Sequence, residues 1–282
     1  MATYAVTGSA SGMGKETVER LRSAGHTVIG VDLRNAEVTA DLSTREGRDR
    51  AAAEVLELAH GSLDGAVLAA GLGPQPGRTT NLLEVNYFGV VELLVAWRDA
   101  LATSGNGKVV VFASNSTTTV PLVPSATIRA LLAGDLRKAL RPLRKFGRNA
   151  PPLAYAASKI ALSRWVRRTA VTPEWAGVGI RLNAIAPGAI LTPLLQSQLD
   201  DPNDSKALEA FPIPIGTFGD AGQIAEWVTH MLSSAADFLV GSIVFVDGGT
   251  DAYFRADDWP RGVPIRGVLR YFRLTRSFAA RK

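Results

Sequence analysis

Thr3-Tyr-Ala-Val-Thr-Gly-Ser-Ala-Ser-Gly-Met-Gly14, running on into KETVERLRSAG over 15–25, decides the fold. The opening residues, TYAVT, are a short apolar run of strand type. Gly8, Gly12 and Gly14 follow, and then comes a helical stretch closed by Gly25. A strand, a glycine turn and a helix in that order aim backbone N–H groups and a helix N-terminus at a pyrophosphate. Glycine is needed where the backbone takes positive φ or lets a phosphate come close. The next apolar run, Thr27 to Val31, ends in Asp32. An acid about twenty positions past a glycine loop suits the ribose hydroxyls of an adenosine. Its charge repels a 2′-phosphate, so Asp32 predicts NAD rather than NADP, even with basic Arg34 two residues on.

Working outward, strand-like and helix-like segments alternate along the chain. The strands read TYAVT, HTVIGV, VTA, GAVLAA, KVVVFA, IRLNAI and SIVFV. They are rich in Val, Ile and Ala and apolar on both faces, as a buried parallel sheet requires. No linker and no internal repeat divides the 282 residues. The expectation is α/β: a single Rossmann-type doubly wound parallel sheet of about seven strands with helices on both faces.

There is no cysteine, which excludes disulfides, thiolate catalysis and Cys-ligated zinc. His26, His60 and His230 are scattered, so no metal site is expected. The first strand begins at once, leaving no room for a signal peptide. No uncharged apolar run approaches the ~20 residues of a membrane span. The expected location is cytoplasmic.

The net charge of +5 is unevenly spread. Residues 129–148 hold seven Lys or Arg against Asp135, and residues 255–282 hold eight against Asp257 and Asp258. Outside these two segments, 16 basic residues face 23 acidic ones. The basicity is therefore local, and nucleic acid is not an expected partner.

Tyr155 and Lys159 lie four residues apart in LAYAASKIAL. On a helix this spacing puts both on one face, about one turn apart. A Tyr hydroxyl titrates near ~10, and a neighbouring ammonium favours its phenolate. The pair is a plausible proton-transfer device, expected to work by Lys159 pulling the Tyr155 pKa down.

The ordered motifs resemble the short-chain dehydrogenase/reductase family. They are TGSASGMG, TADL, VLAAGLG, VNYFG, VVVFASNS, YAASK, APGAILTP and VDGG. The likeness covers roughly residues 1–255, as one domain with a helical insertion about 116–152; residues 256–282 form a basic C-terminal extension. Ala69 departs from the family's usual Asn, and Ala113 stands where a second Ser is common. The resemblance implies an NAD-dependent enzyme with Ser114, Tyr155, Lys159 and Asn86 as catalytic residues. Tyr155 would exchange the substrate proton, and Ser114 would orient the substrate oxygen. Lys159 would also hold the nicotinamide ribose, and Asn86 would hold a water linking Lys159 to solvent. Cofactor contacts are implied for Gly8, Ser11, Gly12, Met13, Gly14, Asp32, Leu33, Asp41, Leu42, Ala70 and Gly71. Tyr155, Lys159, Pro187, Gly188, Ile190 and Thr192 complete that set.

ADLSTREGR, AAGLGPQ and IAPGAILTPLLQ further resemble the bacterial 3α-hydroxysteroid dehydrogenase/carbonyl reductase subgroup. That subgroup also carries a long insertion between its Ser and its Tyr, here 41 positions from Ser114 to Tyr155. The implied substrate is a hydrophobic secondary alcohol or its ketone, a 3-hydroxysteroid first. A carbonyl reductase and a terpene or other alcohol dehydrogenase stand as alternatives, as does a non-catalytic cofactor-binding scaffold. Leu194, Leu195 and Phe211 are the candidate substrate contacts, in a lid after Thr192. The implied assembly is a homodimer or homotetramer, with the insertion near a subunit interface.

In the insertion, Ile128, Leu131, Leu132, Leu136, Leu140, Leu143 and Phe146 form one helical apolar stripe, interrupted or kinked at Pro142. Packing on the body is favoured there over a membrane-surface role. The tail GVPIRGVLRYFRLTRSFAARK fits a solvated tail, a partner-docking segment or a weak membrane anchor. Peripheral membrane contact is the less favoured expectation for the protein as a whole.

Overall fold

In the computed structural model, which describes residues 1–200, 205, 210–259 and 262–279, seven parallel strands form one sheet. They are β1 (Thr3–Thr7), β2 (Thr27–Asp32), β3 (Val38–Thr39), β4 (Gly65–Leu68), β5 (Lys108–Phe112), β6 (Arg181–Pro187) and, last in the chain, β9 (Ile243–Val246). The spatial order is β3-β2-β1-β4-β5-β6-β9. The order reverses between β1 and β4, and a crevice opens beyond the carboxyl ends of strands at such a switch point. Two short strands, β7 (Ile190–Leu191) and β8 (Gly219–Asp220), pair with each other after β6 and were not legible in the sequence.

The helices that cover the sheet are α1 (Gly12–Ser23), α2 (Arg45–Leu58), α3 (Thr79–Leu83), α4 (Gly89–Thr103), α8 (Ala150–Thr169) and α10 (Ala221–Leu232). Two apolar cores result, one on each face. Trp97, Leu93, Leu162 and Ile180 anchor the larger; Val6, Val110, Ile185 and Val228 anchor the smaller. Because β4 and β5 are buried on both faces, their sequences GAVL and KVVVF show no polar alternation. Asp220 caps α10 through a reciprocal capping box with Gln223, which fixes where the chain re-enters the sheet layer.

The insertion departs from the single stripe expected of it. It forms three helices, α5 (Ser116–Thr119), α6 (Ser125–Leu132) and α7 (Leu136–Leu143). The break falls at Gly134, whose φ of +72° ends α6, and Asp135 then caps α7 by accepting from the Lys138 N–H at 2.8 Å. Pro142 lies inside the last turn of α7, so it ends the helix rather than kinking it. Ile128, Leu131 and Leu143 are buried, whereas Phe146 is exposed. The apolar stripe therefore packs on the body, against α8 among others.

Three further helices complete the described chain: α9 (Pro193–Leu199), α11 (Thr250–Arg255) and α12 (Val268–Ala279). Among the described residues, no helix is long and apolar enough to cross a membrane.

Candidate active site

One cleft of about 420 Å³ runs along the carboxyl ends of the strands. Its floor at one end is the loop between β1 and α1. Gly8 sits there at φ +70°, and a Cβ on it would meet the Ala70 nitrogen at 2.7 Å. A Cβ on Gly14 would lie 2.1 Å from the Gly8 carbonyl oxygen. The loop thus closes on itself and on the end of β4 as only glycine permits. Ser11, Gly12 and Met13 line the cleft with them, at the N-terminus of α1.

Asp32 ends β2 beside this loop. Its carboxylate accepts from the Ala10 N–H at 2.9 Å and the Leu33 N–H at 2.7 Å, so the acid is held in place by the loop it serves. Leu33, Asp41 and Leu42 form the adjoining wall, and Ala70 and Gly71 lie opposite. Glycine loop, helix N-terminus and acid together fit a dinucleotide with free ribose hydroxyls. Ser43, Arg78 and Asn81 also line this end and were missed in the sequence: Ser43 comes from the loop before α2, and Arg78 and Asn81 from the start of α3.

At the other end stand Ser114, Tyr155 and Lys159. Ser114 follows β5 directly, while Tyr155 and Lys159 share one face of α8, which starts with Pro151 and Pro152 where prolines fit a helix. The Lys159 ammonium donates to the Phe112 carbonyl at 2.7 Å and lies 5.8 Å from the centre of the Tyr155 ring. Burial pulls the Lys159 pKa down to about 8. The sequence-based expectation for Tyr155 is corrected here. Burial pushes its pKa up, and the opposing influence is a hydrogen bond with Ser114 rather than the ammonium. Lys159 is buried and Tyr155 is half-buried against the larger core, so the cleft disfavours the charged form of each.

Asn86 lies behind the cleft rather than in it. It sits in a π-helical turn, Glu84–Phe88, between α3 and α4, a local geometry often found at functional sites. Its side chain grips the Leu72 backbone twice, accepting at 2.8 Å and donating at 2.9 Å. The side-chain polar atoms of Asn86 are thus engaged with backbone.

The segment after β6 places Pro187, Gly188 and Thr192 on the cleft wall. Ile190 is a correction: its side chain packs into the smaller core, because β7 turns it inward against β8. The lid expectation also changes. Leu195 is buried away from the cleft wall, and Phe211 sets its ring against Phe254 of α11 at 6.3 Å. Neither is among the residues lining the described cleft. The Leu194 side chain lies outside the described residues.

The first half of the chain, residues 2–125, matches the family model of short chain dehydrogenases. Residues 144–251 match that of enoyl-(acyl carrier protein) reductase. The chain belongs to the short-chain dehydrogenase/reductase family. Within that family it is 40% identical over 255 residues to a 3-alpha-hydroxysteroid dehydrogenase/carbonyl reductase of Comamonas testosteroni, covering 90% of this chain and 98% of that one. It is 32% identical to a cis-4-hydroxycyclohexanecarboxylate dehydrogenase of Sinomonas cyclohexanicum, over 88% of this chain and 95% of the other. Its fold superposes on the 3-alpha-hydroxysteroid dehydrogenase of Pseudomonas sp. B-0831 in complex with NADH. The TM-score is 0.85 at 41% identity, over 92% of this chain and all of the other. Residues 126–143, about half of the helical insertion, fall between the two family models.

Proposed function

We propose that the protein is an NAD-dependent oxidoreductase interconverting a hydrophobic secondary alcohol and its ketone, with a 3-hydroxysteroid as substrate. One observation carries this reading. Ser114, Tyr155 and the buried Lys159 stand together at one end of the cleft that holds the glycine loop and Asp32 at the other. The NADH in the Pseudomonas structure and the substrate named for both similar enzymes support it.

Gly8, Gly12, Gly14 and the N-terminus of α1 would receive the pyrophosphate, and Asp32 the adenosine ribose. Bound NAD supplies the hydride acceptor. Tyr155 takes the proton of the substrate hydroxyl as the C–H bond yields its hydride, and returns that proton in ketone reduction. Ser114, whose hydroxyl oxygen accepts from the Ser116 N–H at 3.1 Å, fixes the substrate oxygen by donating its own proton. Lys159, when charged, offsets the phenolate that burial penalises. Asn86 fixes the Leu72 backbone, and so the Gly71 wall, where a Cβ would stand 3.4 Å from the Asn86 Oδ1 and 3.8 Å from the Lys159 Nζ.

A cytoplasmic homodimer or homotetramer belongs to the same reading. Sedimentation velocity tests the assembly. The substrate is tested by initial rates of NADH formation on 3α- and 3β-hydroxysteroids, terpene alcohols and simple cyclic alcohols. A 3-hydroxysteroid preferred by kcat/KM is the expected result; turnover of other alcohols alone would remove the steroid.

A further inference from the structure

From Trp259 to Lys282 the chain carries seven Lys or Arg and no Asp or Glu. Both family models end before this stretch, the second at residue 251. Its described part enters α12 through a turn at Ile265–Gly267, which α12 contacts. At about 100° per residue, Arg270, Arg273 and Arg276 fall in one arc of roughly 120°. Val268, Tyr271, Phe272, Leu274 and Thr275 occupy the opposite arc of roughly 160°. Leu269 alone intrudes on the cationic side.

The apolar arc is open: Tyr271, Phe272 and Leu274 are each more than half exposed. Thr275, the polar residue within it, donates its hydroxyl back to the Tyr271 carbonyl at 3.0 Å. The Thr275 hydroxyl is thus satisfied within the helix, and the Tyr271 phenol gives the face an apolar ring with a polar tip, as suits the boundary between an apolar layer and water. On the cationic side, none of Arg266, Arg270, Arg273 and Arg276 pairs with a carboxylate among the described residues, although the rest of the chain is acid-rich. A helix made to dock on a protein surface of this kind would engage those acids. Separated aromatic and arginine faces with no acid match instead a bilayer interface with anionic headgroups, where arginine stems lie along the apolar boundary.

We propose that α12 docks the protein on an anionic lipid surface, with Tyr271, Phe272 and Leu274 at the acyl boundary and Arg270, Arg273 and Arg276 on the headgroups. The sequence leaves this open among three readings of the tail; the segregated and exposed faces decide it. The proposal does not rest on the substrate.

The full chain is sedimented with vesicles of phosphatidylcholine alone and of phosphatidylcholine mixed with phosphatidylglycerol. The expected result is at least about tenfold more protein bound to the anionic vesicles, lost at high salt. Ending the chain after Arg261, or the triple change Arg270→Gln, Arg273→Gln and Arg276→Gln, abolishes binding while dehydrogenase activity in solution persists. Equal binding to both vesicles, or binding that survives the truncation, overturns the proposal. So does a full chain that ignores vesicles but loses subunits on truncation, since α12 is then a subunit contact.

Discussion

Asn86 and Leu72 are joined by two hydrogen bonds, Leu72 N–H to the Asn86 Oδ1 at 2.8 Å and the Asn86 Nδ2 to the Leu72 carbonyl at 2.9 Å. Asn86 is wholly buried, so no solvent replaces these bonds when the side chain is removed. Asn86→Ala is expected to cost about 1–3 kcal/mol, the penalty of unpaired buried groups. Urea unfolding measures it. The same variant should lose kcat, because the Gly71 wall beside Lys159 is released.

Arg48 ties α2 to the turn that carries Asn86. Its guanidinium, 6% exposed, reaches Glu84 at 2.9 Å, Glu92 at 2.7 Å and the Leu42 carbonyl at 3.1 Å. Burial raises the Glu84 pKa, and Arg48 opposes that rise. Removing one partner of a buried pair costs about 3–5 kcal/mol. Glu92 is partly solvated, so Arg48→Met is expected near the lower end of that range by denaturant unfolding. It should also raise KM for NAD, since Leu42 lines the cofactor end; Glu84→Gln, which keeps an acceptor, should do less.

Glycine positions separate close approach from mere conformation. Gly14→Ala forces a Cβ to 2.1 Å from the Gly8 oxygen, a backbone atom that cannot rotate away. NADH titration by fluorescence should show binding lost. Gly25 has φ +82° but nothing within 4 Å of an added Cβ, so Gly25→Ala should cost only about 1–2 kcal/mol of strain and leave binding intact.

The pH dependence follows from two opposed shifts. Lys159 titrates near about 8 in the folded chain against 10.5 ordinarily. Between these values the unfolded chain holds the extra proton, so this group's contribution to stability rises with pH across that window. Tyr155 is shifted up from 10.0, so the folded chain keeps its proton longer and its contribution falls with pH above that value. Alcohol oxidation needs the deprotonated Tyr155 and should climb on the alkaline side, while ketone reduction should fall there. Profiles of log kcat/KM in both directions check the signs.

The parts of this protein legible in its sequence are local ones. The β1–loop–α1 unit is written in consecutive residues, and Tyr155 and Lys159 meet because one helical turn brings them together. What was not legible depends on partners far along the chain. Arg48 finds Glu84 and Glu92 only after α2 packs on α4. The π-turn at Asn86 is set by its grip on Leu72. Phe211 turns to Phe254 and Ile190 to the smaller core, because an apolar side chain in a lid packs on whichever surface the tertiary fold offers. The insertion shows the same limit on a small scale: its apolar spacing reads as one stripe, while Gly134 and Asp135 divide it.

The central claim is that Tyr155 moves the substrate proton. The direct test is NADH formation from a 3α-hydroxysteroid by the intact chain and by Tyr155→Phe, with NADH binding measured on both. The account predicts a fall in kcat of about 10²–10⁴-fold with binding retained. A Tyr155→Phe variant that turns over as fast as the unaltered chain would contradict it.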